Sequence, residues 1–267
     1  MGNRILVSLV LLGALPGRAA DLGPDLLNDA RRGQTEQVRT LLDKGAPVDS
    51  RDRVGRTALM LAAQHGHSET VSLLLAKGAK ADARDEEGLT AYALAFLSTG
   101  KARDKVLGLL PAPPKIKLML DATAVLDSAY NSCFMTPKQL AERIRQVEPE
   151  SLLVGALRDV AANSDSRLFE FVTADGDAVL TLRVRPEAMC VQQQSSDNLQ
   201  MQVDVRLVRS GNHDPIWEKT FGGGLKGLKA RVATNPVQYG AAYEEWSKAE
   251  APGIYSGLIN ALLKAAP

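Results

Sequence analysis

What the sequence lacks first is charge of one sign: 32 Lys and Arg stand against 31 Asp and Glu, a net charge of +1. A balance that close creates no field to draw the whole chain onto nucleic acid or an anionic membrane, so no nucleic-acid partner is expected. Motifs of catalysis are missing too. The 267 residues contain no G-x-S-x-G elbow, no Walker loop, no H-E-x-x-H pair and no calcium loop. Gly222 to Gly227 fits G-x-G-x-x-G. It follows the end of a hairpin rather than opening a βαβ helix, so it reads as a flexible turn and not as a dinucleotide site. His213 sits in Gly211-Asn212-His213-Asp214-Pro215, the composition of an exposed turn, and Asp175-Gly176-Asp177 reads as a hairpin turn rather than a metal loop. The only two cysteines, Cys133 and Cys190, have no Cys or His neighbour at ligand spacing, which argues against zinc. No run of residues approaches the roughly 20 apolar positions of a membrane-spanning helix. These absences predict a protein that is not an enzyme and uses no cofactor and no metal.

What is present suits a folded, exported chain. Hydrophobic residues make up 45% and charged residues 24%, far from a disordered composition, and the length suits two domains. The first residues differ from the rest. Arg4 precedes an apolar stretch from Ile5 to Leu15, about eleven residues and too short to span a bilayer, and small residues follow at Gly17, Ala19 and Ala20. This is the pattern of a signal peptide over residues 1–19, cleaved after Ala19. No cysteine lies near the cleavage site to carry a lipid. The expected compartment is the periplasm, or the medium. In such an oxidising place Cys133 and Cys190 are expected to form a disulfide, the alternative being two buried thiols.

Repetition at a spacing of 33 residues organises the next ninety positions. Gly45-Ala46 recurs as Gly78-Ala79, Asp49 as Asp82, Asp52 as Asp85, Gly55 as Gly88 and Thr57-Ala58 as Thr90-Ala91. Ala30, Gly33, Val38 and Leu41-Leu42 recur as Ala63, Gly66, Val71 and Leu74-Leu75. The periodicity predicts a helix from Thr57 to Gln64, a turn at Gly66 and a second helix from Ser68 to Ala76 with Val71, Leu74 and Leu75 on one stripe. One such unit cannot cover its own apolar face, so about three are needed.

Residues Gly55 to Ala63, G-R-T-A-L-M-L-A-A, together with His65-Gly66-His67, resemble the ankyrin repeat, a 33-residue unit of one turn and two helices. The resemblance covers residues 22–110, with atypical first and last repeats serving as caps. It implies a protein-binding stack that grips a partner through its turn tips and the concave face beside them. On this chain those positions are Arg51, Arg53, Val54, Arg56 and Met60 in one repeat and Arg84, Glu86, Glu87 and Leu89 in the next. His65 and His67 fall where the family has structural, helix-capping residues, not ligands or bases.

Pro111-Ala112-Pro113-Pro114 makes a stiff linker over residues 111–114, and an α+β domain is expected over 115–267. Ile116, Leu118 and Leu120 alternate as a first strand, and Thr136-Pro137 starts a helix to Val147, with a second from Ser151 to about Asn163. Leu168–Val172, Ala178–Arg185, Leu199–Leu207 and Ile216–Phe221 read as strands of an antiparallel sheet. Two final helices are expected, Pro236–Lys248 and Pro252–Lys264, with the helices covering one face of the sheet. This order of elements is similar to the periplasmic domains of envelope lipoproteins such as ABC-type transport auxiliary lipoproteins. Taken together the chain reads as an exported ankyrin adaptor or scaffold. The alternatives are a soluble subunit of an envelope transport or assembly complex, or a hydrolase or transferase whose pocket would hold His213 or a carboxylate pair.

Overall fold

The computed structural model describes residues 22–126, 136–164, 167–191, 196–224 and 236–265. The signal-peptide residues and Cys133 lie outside them, and with Cys133 the disulfide expected to Cys190. The chain divides into two compact units between Ala112 and Pro113.

The first unit is all helix and turn: α1 (Gly23–Arg32), α2 (Thr35–Asp43), α3 (Ala58–Gln64), α4 (Ser68–Ala76), α5 (Ala91–Leu97) and α6 (Arg103–Leu107). Each inner helix begins on a threonine. Thr57 accepts from the Met60 amide and Thr90 from the Ala93 amide, which satisfies an N–H that the first turn leaves without an intrahelical partner. The helices α3 and α5 are buried all round, from Ala58 to Ala63 and from Ala91 to Phe96, because each lies between neighbours in the stack. Gly33 and Gly66, at φ of 72° and 79°, close α1 and α3 in the left-handed region that glycine enters without strain. Of the outer helices, α2 buries Val38 and α4 buries Ser68, Thr70, Val71, Leu73 and Leu74, while Leu75, expected on the same stripe, is only half-buried.

The repeats are also joined by polar bonds. His67 Nε2 lies 2.9 Å from the carbonyl oxygen of Arg31, and its ring fills the space beside Gly33. The side chain of His67 makes no cap on α4, so its structural role is a bond to the preceding repeat rather than the capping that the family position implies. The imidazole of His65 stacks on it, with ring centres 6.2 Å apart. A second inter-repeat bond joins Thr35 Oγ1 and Thr70 Oγ1 at 2.8 Å.

The second unit carries β1 (Ile116–Ala124), α7 (Pro137–Val147), α8 (Pro149–Ala162), β2 (Phe169–Val172), β3 (Ala178–Val191), β4 (Ser196–Arg209), β5 (Pro215–Gly224) and α9 (Pro236–Ala265). The sheet order is β2-β1-β3-β4-β5. It is a mixed sheet, not the antiparallel one expected. β1 runs parallel to both β2 and β3, while β3, β4 and β5 pair antiparallel. The segment Asp175-Gly176-Asp177 is therefore no hairpin turn. It carries the chain from β2 across β1 to β3, with Asp177 bonded through its amide and its carboxylate to the backbone of Lys117. A Cβ on Gly176 would fall 2.5 Å from Met119 Cγ, so only glycine fits this crossing without displacing Met119. Asn212 Oδ1 accepts from the His213 and Asp214 amides and builds a true turn between β4 and β5.

Leu118, Leu180, Leu182, Val184, Met201, Val203, Val205 and Leu207 form one fully buried sheet face. Against it lie α8 and α9, which bury Leu153, Leu157, Ile254, Leu258 and Leu262. The two C-terminal helices expected are one continuous helix, α9, with Pro252 inside it. Pro252 removes one backbone donor, yet Ala251 and Ile254 on either side are fully buried. Tertiary packing of the apolar stripe thus outweighs the local break. Gly257 on α9 makes room for Trp217 of β5, and Gly253 faces Phe221 at an ordinary contact distance. Gly222, Gly223 and Gly224 are paired with Gln202, Met201 and Gln200, so the described part of the glycine run is strand, not turn. Among the described residues no helix is long and apolar enough to cross a membrane.

Candidate protein-binding surface

Two turn tips, 33 residues apart, are built by the same bonds. Asp52 Oδ1 accepts from the Val54 amide at 3.0 Å and the Arg56 amide at 2.9 Å. Asp85 Oδ1 accepts in the same way from Glu87 at 3.0 Å and Leu89 at 2.8 Å. Arg51 donates to the carbonyl of Gly55 at 2.8 Å, and Arg84 to that of Gly88 at 2.7 Å. The tips are then tied to each other. The Nη1 of Arg51 also donates to the carbonyl of Arg84 at 2.7 Å, and the Glu86 amide donates to the Val54 carbonyl at 3.1 Å. Beneath them Arg56 Nε lies 3.4 Å from the carboxylate of Asp85, whose side chain is only 1% exposed.

This scaffold sorts the nine expected contact residues. Arg53, Val54, Glu86 and Glu87 stand exposed at the tips. Arg51 is exposed as well, with its guanidinium spent on backbone carbonyls. Arg56 and Arg84 are half-buried braces. Met60 and Leu89 are buried and are not part of the surface. Met60 Sδ accepts from the Thr57 amide at 3.4 Å, within its own helix cap. Leu89 is drawn inward because its amide and carbonyl both close the Asp85 turn.

Sequence reasoning missed the residues that face the tip at Arg51 to Arg53. A cleft of about 500 Å³ opens between α1 and the first tip, lined by Pro24, Leu27, Asn28 and Arg31 on one side and Arg51, Asp52 and Arg53 on the other. Its two walls lie some twenty positions apart in the chain, so no local pattern announces it. The period did hold one signal, the recurrence of Asp52 as Asp85, which marks the residue that shapes each tip.

The second unit offers a different surface, the sheet face away from the helices. A cleft of about 550 Å³ lies there, lined among others by Thr181, Arg183, Asp204, Arg206, Glu218 and Thr220. Asp204 accepts from Arg185 Nη2 at 2.7–2.8 Å and from Thr220 Oγ1 at 2.7 Å, and Arg206 donates to the His213 carbonyl at 2.8 Å. His213 itself is exposed.

Residues 26–118 match the family model for ankyrin repeats in three copies. The first unit is thus a three-repeat ankyrin stack. Ankyrin repeats imply a protein partner. No curated protein matches the chain.

Proposed function

We propose that the protein is an exported, non-catalytic adaptor or scaffold, released into the periplasm or the medium by removal of residues 1–19. Its ankyrin stack holds a partner protein at the tips, while the α+β unit serves a second contact. The observation that carries this reading is the state of the tips. Arg53, Val54, Glu86 and Glu87 are presented on turns already fixed by Asp52, Asp85 and Arg51. A preformed surface loses little conformational freedom when a partner settles on it. The apolar stretch from Ile5 to Leu15, followed by small residues at 17, 19 and 20, supports export.

The test is partner capture by the mature chain carrying a photo-crosslinking residue at Arg53 in one sample and at Arg206 in another, read by mass spectrometry. A discrete protein captured from Arg53 supports the adaptor. Capture from Arg206 alone favours the second reading, a soluble subunit of an envelope complex that docks through the polar sheet face. Specific capture from neither site would remove the binding reading. N-terminal sequencing of the exported form should begin at Ala20.

A further inference from the structure

The cleft between α1 and the first tip differs in charge from the tip beside it. Its apolar lining is Pro24, which is exposed, and the edge of the buried Leu27. Three arginines line it, Arg31 on the last turn of α1 and Arg51 and Arg53 on the tip. The one carboxylate in the lining, Asp52, has Oδ1 occupied by two backbone amides. Among the described residues neither Arg31 nor Arg53 is in an ion pair. A cation on the last turn of a helix complements the helix dipole, and this accounts for Arg31. It does not account for Arg53, which belongs to no helix. One repeat further on, the exposed tip residues are Glu86 and Glu87, so the sign reverses along the surface.

We infer that this cleft takes an acidic, extended segment of the partner protein, whose Asp or Glu carboxylates meet Arg31 and Arg53 while an apolar side chain rests on Leu27. Arginine suits the task because its planar fork grips a carboxylate through two parallel bonds. Arg51 is fixed by the carbonyls of Gly55 and Arg84, so its charge is in place before binding. Asn28 supplies an amide for the segment's backbone. Like-charge repulsion from Glu86 and Glu87 keeps the segment along α1 rather than across both tips. The inference rests on the protein-binding reading above and assigns chemistry to it.

The experiment uses the mature full chain with the photo-crosslinker at Val54, an exposed tip position outside the cleft lining, in otherwise natural and in Arg31→Glu/Arg53→Glu forms. Lys101→Glu, exposed in the same unit, is the charge control, and far-UV circular dichroism checks that each variant is folded. The expected result is a captured peptide rich in Asp and Glu, at least tenfold less capture by the double variant, and unchanged capture by the Lys101 variant. A fluorescein-labelled hexapeptide of alternating Glu and Leu should bind the natural chain and weaken as salt rises, because exposed charges are screened. Its Lys-Leu counterpart should not bind. A captured peptide that is neutral or basic, or capture insensitive to the double reversal, overturns this inference and leaves the adaptor standing. No capture, with no difference between the two hexapeptides, overturns both.

Discussion

The indole of Trp217 occupies the space that a side chain at Gly257 would need, since a Cβ built there lies 2.5 Å from Cζ2 and 2.9 Å from Cη2 of the ring. A glycine in the interior of α9 is unfavourable by about 1 kcal/mol relative to alanine, and the contact with β5 is what requires it.

Gly257→Ala and Gly253→Ala should therefore have opposite signs. At Gly257 the overpacking cost, about 1–3 kcal/mol, exceeds the helix gain. At Gly253 the nearest neighbour, Phe221 Cε1, stands at an ordinary 3.7 Å, and the gain of up to about 1 kcal/mol survives. Urea unfolding followed by tryptophan fluorescence checks both. The chain's two tryptophans, Trp217 and Trp246, are in the second unit, so the signal reports that unit.

The two tip aspartates should differ in weight. Asp85→Ala leaves the Glu87 and Leu89 amides and the Nε of half-buried Arg56 without their acceptor and should destabilise the first unit by about 2–4 kcal/mol. Asp52→Ala removes two bonds at a more exposed site and should cost about 1 kcal/mol. Amide hydrogen exchange resolves the effect by residue. Protection at Leu89 should fall in the first variant and hold in the second.

Burial holds the His65 imidazole below its ordinary value of 6.5, and the neighbouring charges of His67 and Arg31 lower it further. A histidine whose folded value is depressed binds protons more readily when unfolded. Its contribution to stability is fully present above pH 6.5 and is lost as pH falls through that value and the lower folded one. Thermal melts of the natural chain and of His65→Gln between pH 7.5 and 5 should show a smaller decline in the variant. Equal declines would place the acid sensitivity elsewhere.

Lys105 on α6 bonds the carboxylate of Glu69 on α4 at 2.7 Å. The side-chain bond from Lys105, with bonds to its own backbone and to Ser68, brings the Glu69 carboxyl down from 4.5 to about 2. Lys105→Gln should raise that titration toward the ordinary range, with the bonds to the backbone and to Ser68 keeping it below 4.5, observed by carbon-detected NMR of the Glu69 side chain. A depressed carboxylate of this kind adds stability above pH 4.5 that disappears as pH falls through about 2.

The helices and turns of the first unit were legible because what builds each of them is local and periodic. Gly33, Thr57, Asp52 and their copies recur at a fixed spacing and cap or close an element within four positions of themselves, whereas the bonds between repeats, such as Arg56 to Asp85 and His67 to Arg31, follow from no local pattern. Alternation in β3 and β4 likewise revealed which face is wet. It carries no information on strand order or direction. β1 and β2 are separated by two helices, and β3 reaches the far side of β1 only through the crossing at Gly176, a contact with Met119 that composition does not encode. Pro252 misled in the opposite way. Proline favours a helix's first turn, which suggested a new helix, whereas the buried stripe running through Ala251 and Ile254 holds a single one. At the tips, Arg53, Val54, Glu86 and Glu87 are exposed. Met60 and Leu89 were assigned to the surface by repeat position alone, and that position did not reveal that the cap and the Asp85 turn pull them inward.

The bond from Arg51 to the carbonyl of Arg84 has a bearing on how such a chain changes its length over generations. Its acceptor is main chain, so the donor asks nothing of the side chain in the following unit. A tandem duplication of one 33-residue block would present the same carbonyl at the same place, and an in-frame loss would remove donor and acceptor together. This bond survives the gain or loss of a segment with no compensating substitution, unlike the side-chain pairs Arg56–Asp85 and Thr35–Thr70.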